Sequence, residues 1–286
     1  MSDGTAARPG TLYLVGTPIG NLEDVTLRAL RILREVPVIA AEDTRHTRTL
    51  LAHYDIHKPL ISYFEQVEQK RLGTLLERLR EGDVALVSDA GMPGISDPGY
   101  ALVRAAIAAG IPVVPIPGPS APIAALAASG LPTDQFVYLG FLPRRSSDRR
   151  KLLGEVTAEP RTLIAFETPH RLVAVLDDVE AVLGDRPVVV ARELTKLHEE
   201  FLRGTANRVR QQILGAPIRG EITLLIGGAA PGPSQLAADA LAARVQDLVD
   251  AGRSTREIVE QLSREPGASR REVYRLLLEV RNCAKM

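Results

Sequence analysis

The alternation of short apolar runs with helical segments over the first half of the chain constrains the fold most. Apolar runs at 12–15, 38–41, 84–87 and 113–116 have the length of buried strands, and segments of helical periodicity separate them. Strands and helices in this repeated order form a mostly parallel sheet with helices on its faces. We therefore predict an N-terminal α/β domain over residues 11–140.

A second α/β domain is predicted over residues 141–228. Its strand signals lie at 162–166, 188–191 and 222–226, with helical segments between them. At its start, residues 141–151 (FLPRRSSDRRK) contain five basic residues, one acidic residue and no apolar periodicity. We interpret this segment as a basic hinge between the two domains.

The two ends of the chain differ from the middle. Residues 235–286 have helical patterns and no strand signal, and the segments 254–263 and 269–280 predict two helices of a helix-turn-helix unit. A helical bundle that packs on the α/β domains or on a dimer partner is the alternative. The first ten residues lack the apolar core of a signal peptide and predict a disordered terminus.

Composition excludes several classes of protein. The single cysteine, Cys283, rules out an intramolecular disulfide framework and a four-cysteine zinc site, and it favours a reducing cytoplasm. The longest uncharged stretch, 105–133, contains six prolines, so we expect no membrane-spanning helix there. The net charge of zero combines −3 over residues 1–143 (12 basic, 15 acidic) with +3 over residues 144–286 (23 basic, 20 acidic).

Loops rich in glycine and proline follow three of the predicted strands, at 16–21 (GTPIGN), 88–99 (SDAGMPGISDPG) and 116–122 (IPGPSAP). The carboxyl ends of parallel strands meet at one sheet edge, where ligands of α/β proteins bind. None of these loops has the spacing of a phosphate-binding or dinucleotide-binding loop. The segment PGPSA around Ser120 does not match the G-x-S-x-G pattern of a hydrolase nucleophile, and we interpret Ser120 as a helix cap or a hydrogen-bonding group.

Carboxylates accompany these loops. Glu42 and Asp43 lie where the second strand ends, and Asp43 is also placed to cap the helix that follows. Asp89 and Asp97 flank the longest loop. Asp89 is suited to accept hydrogen bonds from an amine or a ribose, or to stabilise its own turn.

Eight motifs together resemble a known superfamily. They occur over about residues 11–228 in the order VGTPIGN, AAEDTRHT, SDAGMPGISDPG, IPGPSA, GFLP, FETPHR, RELTKLHE and GEITLLIGG. In this order they resemble the tetrapyrrole methylases, and within them the branch that methylates a cytidine ribose 2′-oxygen in the decoding region of small-subunit (16S) ribosomal RNA. The resemblance implies a cleft between two α/β domains that holds S-adenosylmethionine, and a homodimer. We expect no metal, because no phosphoryl charge develops in a methyl transfer.

The resemblance also implies which residues bind the cofactor. Met92 departs from the pattern, because threonine is usual at that position. The expected contacts are Asp89, Ala90, Gly91, Ile95, Ser96, Ser120 and Ala121 from the first domain and Phe166, Glu167, Leu194 and Ile222 from the second.

Methyl transfer to a ribose hydroxyl gains from a general base or from in-line positioning. Glu42 and Asp43 are the candidate bases, and positioning alone is the alternative. The partner is small-subunit rRNA or the assembled small subunit. The candidate RNA-binding residues are Arg144, Arg145, Arg149, Arg150 and Lys151 in the hinge and Arg270, Arg271 and Arg275 in the tail.

Two other functions stay open at this point. One is methylation of a tetrapyrrole carbon, which keeps the enzyme class and changes the substrate. The other is a non-catalytic nucleic-acid-binding protein that senses S-adenosylmethionine through its α/β part. The hinge is also consistent with a plain solvated loop.

Overall fold

The computed structural model describes residues 10–215, 218–230, 233–263 and 268–283. The chain divides into two compact units, Met1–Gly228 and Ala229–Met286. The terminus predicted to be disordered lies outside the described residues except for Gly10. Residues 264–267 of the proposed helix-turn-helix turn and residues 231–232 of the preceding linker also lie outside them.

A five-stranded parallel sheet forms the first half of the larger unit. Its strand order is β3-β2-β4-β1-β5. The strands are β1 (Leu12–Val15), β2 (Val38–Ala41), β3 (Leu60–Ser62), β4 (Val84–Val87) and β5 (Val113–Ile116), and the helices are α1 (Leu27–Glu35), α2 (Thr44–His53), α3 (Glu68–Glu81), α4 (Tyr100–Ala108) and α5 (Ala121–Ser129). The predicted strand and helix alternation is confirmed here.

Alternate residues of these strands enter two apolar layers, one on each face of the sheet. Ile39 and Ala41 pack in one layer with α1, whereas Val38 and Ala40 pack in the other with α3 and α4. Side chains of a strand point alternately to opposite faces, so a sheet covered on both faces needs continuous apolar runs. This is why these strands appear in the sequence as unbroken runs of apolar residues.

The second sheet is mixed, with strand order β6-β7-β10-β8-β9. Strands β6 and β7 are parallel, and the other neighbours are antiparallel. The strands are β6 (Phe136–Phe141), β7 (Thr162–Glu167), β8 (Pro187–Arg192), β9 (Glu200–Thr205) and β10 (Ile222–Ile226), and the helices are α6 (Ser146–Glu155), α7 (Leu172–Leu183) and α8 (Ala206–Ile213).

Three elements of this half were not anticipated. The edge strands β6 and β9 are only partly buried, so they lack the apolar runs of central strands. Strand β6 belongs to the second sheet, which therefore begins five residues before the expected boundary at residue 141. The expected hinge is largely helix α6, whose buried face consists of Arg149 and Leu153.

The described residues of the smaller unit form three helices, α9 (Pro233–Asp250), α10 (Thr255–Leu262) and α11 (Arg270–Cys283). Ser254 and Glu257 form a capping box at the start of α10. The three helices share an apolar core that includes Val245, Ile258 and Val273. In the parts of the chain that the structure describes, no helix is both long enough and apolar enough to cross a membrane.

Candidate active site

Three loops meet at the carboxyl edge of the first sheet, as their positions after β1, β4 and β5 predict. Thr17 and Gly91 exchange backbone hydrogen bonds of 2.9 and 3.1 Å. A Cβ added at Gly16 would lie 2.8 Å from the Cα of Gly118. The loops at 16–21, 88–99 and 116–122 are thus in direct backbone contact, which only residues without a Cβ permit at that point.

A cavity of about 440 Å³ opens beside these loops and is closed on the other side by the second sheet. Its size is that of a small-molecule site. Of the eleven expected cofactor contacts, all but Ser96 line it. The lining residues that were not expected include Ile19, Asp97, Phe141, Thr168, Glu221 and Thr223, together with Met92.

Ser96 has a different position from the one expected. Its hydroxyl is hydrogen-bonded to the hydroxyl of Tyr138 on β6 at 2.7 Å, so it joins the loop after β4 to the second sheet. Its backbone has a φ of +61°, a left-handed conformation that is unfavourable for a residue with a Cβ. Ser96 therefore shapes the loop between Ile95 and Asp97, which both line the cavity.

An acidic cluster forms part of the cavity lining. The amide N–H of Asp89 donates to Glu42 Oε2 at 3.2 Å, and the amide N–H of Asp43 donates to Asp89 Oδ1 at 3.1 Å. These two bonds tie the end of β2 to the end of β4. Glu42, Asp89 and Asp97 all line the cavity.

Burial and mutual repulsion alter the titration of this cluster. Burial raises the pKa of Glu42. The hydrogen bond from the Asp89 backbone opposes this rise, whereas the negative charges of Asp89 and Asp43 add to it. Burial also raises the pKa of Asp97 to about 6, with Glu42 adding to it and a hydrogen bond from Ser88 opposing it. Raised carboxyl pKa values in a cleft are typical of groups that exchange protons.

Asp43 does not line the cavity and is better explained as a helix cap. Its side chain accepts the Arg45 amide N–H at 2.8 Å and pairs with the Arg45 guanidinium at 2.6 Å. These hydrogen bonds hold the pKa of the Asp43 carboxyl well below its usual range. The structure therefore disfavours Asp43 as a base and leaves Glu42 as the candidate of the pair.

The second sheet supplies the opposite wall. The Glu167 carboxylate is buried and accepts the Thr168 amide N–H at 2.6 Å and the Arg171 guanidinium at 2.9 Å. The Glu167 side chain is thus held by hydrogen bonds within the protein, and it fixes this wall of the cavity. Leu194 lies between Glu193 and Thr195, which both have positive φ, of 52° and 65°.

A family model described as tetrapyrrole (corrin/porphyrin) methylases matches residues 11–209. The chain belongs to the tetrapyrrole methylase family. Two relatives, both named ribosomal RNA small subunit methyltransferase I, cover nearly all of this methylase. The protein from Halalkalibacterium halodurans is 47% identical over 272 residues, 93% of this chain and 94% of its own. The protein from Micromonospora olivasterospora is 49% identical over 282 residues, 96% of this chain and 89% of its own.

Solved structures of the family have the same fold at low sequence identity. Uroporphyrin-III C-methyltransferase from Thermus thermophilus, solved as a complex with S-adenosylhomocysteine, matches with a TM-score of 0.53 and 23% identity. The match covers 76% of this methylase and 97% of that chain. The predicted two-domain α/β fold is confirmed by this likeness.

The basic residues expected to bind RNA divide into two groups. Arg149 is 3% exposed, and its guanidinium pairs with Asp178, with Nε 2.7 Å from Oδ2. The expectation that Arg149 binds phosphate is wrong, because the side chain points into the domain. The four other basic residues of the hinge are exposed to solvent, namely Arg144, Arg145, Arg150 and Lys151.

Arg150 is partly engaged as well, because its Nε lies 2.5 Å from Asp178 Oδ1 while half of the side chain is exposed. In the helical unit, Arg270, Arg271 and Arg275 are all exposed on α11.

Among the described residues of this methylase, no group of three or more histidine, cysteine, aspartate or glutamate residues is arranged to hold a metal ion. The metal-free reaction stays a prediction.

Proposed function

We propose that this methylase transfers a methyl group from S-adenosylmethionine to the 2′-oxygen of a cytidine in the decoding region of small-subunit (16S) ribosomal RNA. The observation that carries the proposal is the similarity to proteins named ribosomal RNA small subunit methyltransferase I, which extends over more than nine-tenths of the chain. The likeness to tetrapyrrole-modifying enzymes supports the fold alone.

The cavity suits S-adenosylmethionine on three grounds. Gly91, with a φ of +79°, lines the cavity with backbone and no side chain, and the close Gly16–Gly118 contact joins two of the loops that line it. Apolar side chains such as Ile19 and Leu194 offer a surface for an adenine ring. The Asp89 carboxylate is placed to accept hydrogen bonds from an amine or a ribose hydroxyl.

We assign proton transfer to Glu42. When bound, S-adenosylmethionine supplies a methyl group on a positive sulfur that leaves as a neutral thioether, so the methyl–sulfur bond breaks as the methyl–oxygen bond forms. The ribose hydroxyl must lose its proton in this exchange. Glu42 is held at the cavity by the Asp89 amide, and its raised pKa suits a general base.

The exposed hinge cations, Arg144, Arg145, Arg150 and Lys151, are proposed to contact RNA phosphates. We further propose that Arg270, Arg271 and Arg275 add a second RNA contact, that residues 11–228 carry the chemistry and that residues 235–286 assist substrate binding. We also propose that the protein acts in the cytoplasm as a homodimer. Light scattering of the purified protein tests the dimer.

The deciding experiment maps ribose methylation in 16S rRNA from cells with and without this gene. We expect one cytidine of the decoding region to lose its 2′-O-methyl group in the deletion strain. Purified protein, S-adenosylmethionine and small subunits from that strain should restore the methyl group. An unchanged methylation map would overturn the proposal, and a preparation that carries a coloured tetrapyrrole would favour the tetrapyrrole alternative.

A further inference from the structure

Phe141 is a large apolar side chain that remains 56% exposed although it lines the cavity. It ends β6, where the register with β7 shifts between Tyr138 and Phe141. Gly140 has a φ of +66°, a conformation that glycine adopts readily. This irregularity of the partly buried edge strand places the Phe141 ring on the cavity wall.

The Phe141 ring stands against a second ring of the same wall. The centroids of Phe141 and Phe166 are 5.3 Å apart with a tilt of 54°, and Tyr138 contacts Phe166 edge-on at 5.5 Å. Phe166 is less exposed than Phe141 and is the ring expected to contact the cofactor. The outer ring therefore has a face available to a different ligand.

Two arginines fix the backbone directly after Phe141. The Arg171 guanidinium donates to the carbonyl of Leu142 at 2.7 Å and to that of Pro143 at 3.1 Å. Arg149 donates to the carbonyls of Pro143 at 3.1 Å and Arg144 at 3.3 Å. The buried cation that was expected to bind phosphate thus holds the segment that presents Phe141 and the exposed Arg144.

We infer that the Phe141 ring is the platform on which the target cytosine stacks, with Arg144 and Arg145 at the flanking phosphates. This inference rests on the proposed function. A nucleotide whose 2′-hydroxyl reacts inside a cleft must leave its base stack, and extruded RNA bases commonly stack on aromatic rings. The chain has only five phenylalanines, six tyrosines and no tryptophan, so an exposed ring at the cavity is distinctive.

Charge supports a nucleotide over an apolar partner at this ring. Arg144 and Arg145 follow Phe141 by three and four residues and are both exposed, so two cations close to this ring in the chain are available to bind phosphates. The acidic cluster of Glu42, Asp89 and Asp97 lies within the same cavity. A base stacked on Phe141 would therefore bring its attached ribose to the cavity that contains that cluster.

The first test compares Phe141→Leu with Phe141→Tyr, using small subunits from the deletion strain as substrate. Leucine keeps apolar bulk and removes the ring, whereas tyrosine keeps the ring. We expect KM for the subunit to rise about 10- to 100-fold in Phe141→Leu and to stay near wild type in Phe141→Tyr, as stacking on a ring predicts. Phe136→Leu, at the other end of β6 and away from the cavity, is the matched control.

The second measurement asks whether the ring serves the cofactor instead. Calorimetry with S-adenosylhomocysteine should give the same affinity for wild type and Phe141→Leu. Phe141→Trp provides a single tryptophan in a chain that has none, and its emission should change little on addition of S-adenosylhomocysteine. A matching loss of S-adenosylhomocysteine affinity, or strong quenching by it, would assign the ring to the cofactor and overturn the inference.

The outcomes separate this inference from the proposed function. If the wild-type protein does not methylate the subunit, the proposed function fails. If the wild type is active and Phe141→Leu keeps its KM, only the stacking role of Phe141 fails.

Discussion

Gly16 and Gly118 approach each other so closely that neither position has room for a side chain. A Cβ on Gly118 would lie 2.9 Å from three backbone atoms of Gly16, and the reciprocal contact is 2.8 Å. The two residues belong to the loops after β1 and β5, which are neighbouring strands. The contact therefore sets the distance between two loops that line the cavity.

Gly118→Ala is expected to weaken S-adenosylhomocysteine binding at least tenfold, because the added methyl group must displace backbone. Overpacking of this kind costs about 1–3 kcal/mol of stability. Gly73→Ala is the control, since nothing lies within 4 Å of a Cβ there and the helical site gains about 0.5–1 kcal/mol. Calorimetry and urea unfolding measure the two effects. Wild-type binding by Gly118→Ala would mean that the loops adapt.

Glu42→Gln is expected to slow methyl transfer by about 10²–10⁴ while the affinity for S-adenosylhomocysteine stays near wild type, because a general base is lost. Asp43→Asn should keep a rate near wild type, since asparagine caps a helix as well as aspartate does. Single-turnover rates and calorimetry separate the two effects. Equal losses of rate and cofactor affinity in Glu42→Gln would mean that Glu42 shapes the cavity.

The pH dependence of the rate provides an independent test of the same base. A base works only when deprotonated, so the rate should fall as pH drops through the raised pKa of Glu42 and level off above it. Asp43→Asn removes a negative charge that adds to the raised pKa of Glu42, so the midpoint of its profile should move to lower pH. A midpoint that stays in place in Asp43→Asn would show that the Asp43 charge does not influence Glu42.

Arg149→Ala is expected to destabilise the protein by about 3–5 kcal/mol, because it removes the buried cation that is paired with the buried Asp178 carboxylate. Arg150→Ala removes a half-exposed partner of the same carboxylate and should cost less than about 1 kcal/mol. Urea unfolding of both variants measures the free energy of unfolding that each substitution removes. Similar stabilities would indicate that Asp178 is satisfied by Arg150 and Ser146 alone.

The double variant Arg144→Ala/Arg145→Ala should reduce the salt dependence of RNA affinity. Each lost phosphate contact lowers the log–log slope by roughly 0.7–0.9. Arg271→Ala/Arg275→Ala, in the helical unit, is the comparison, and we expect a smaller change because residues 232–286 have 9 basic and 8 acidic side chains. RNA affinity at several salt concentrations measures both. A larger change in the second variant would move the main RNA surface to α11.

The sequence by itself determined the α/β architecture and the edge of the sheet at which the cavity lies. Buried strands need unbroken apolar runs and amphipathic helices need a 3.6-residue period, and both signals are local. The glycine and proline loops after β1, β4 and β5 had to meet because parallel strands end at one edge. Ten of the eleven residues expected around the cofactor accordingly line one cavity.

Only the tertiary structure decided the direction in which individual side chains point. Arg149 and Arg150 are adjacent cations in the sequence, yet α6 turns the first toward the buried Asp178 and leaves the second half exposed. Glu42 and Asp43 are adjacent acids, yet one lines the cavity and the other caps α2. Phe141 faces the cavity because β6 is irregular at Gly140. The two arginines are oriented by Asp178, 28 and 29 residues away, and Glu42 is held by the Asp89 amide, 47 residues away, so no local pattern encodes these directions.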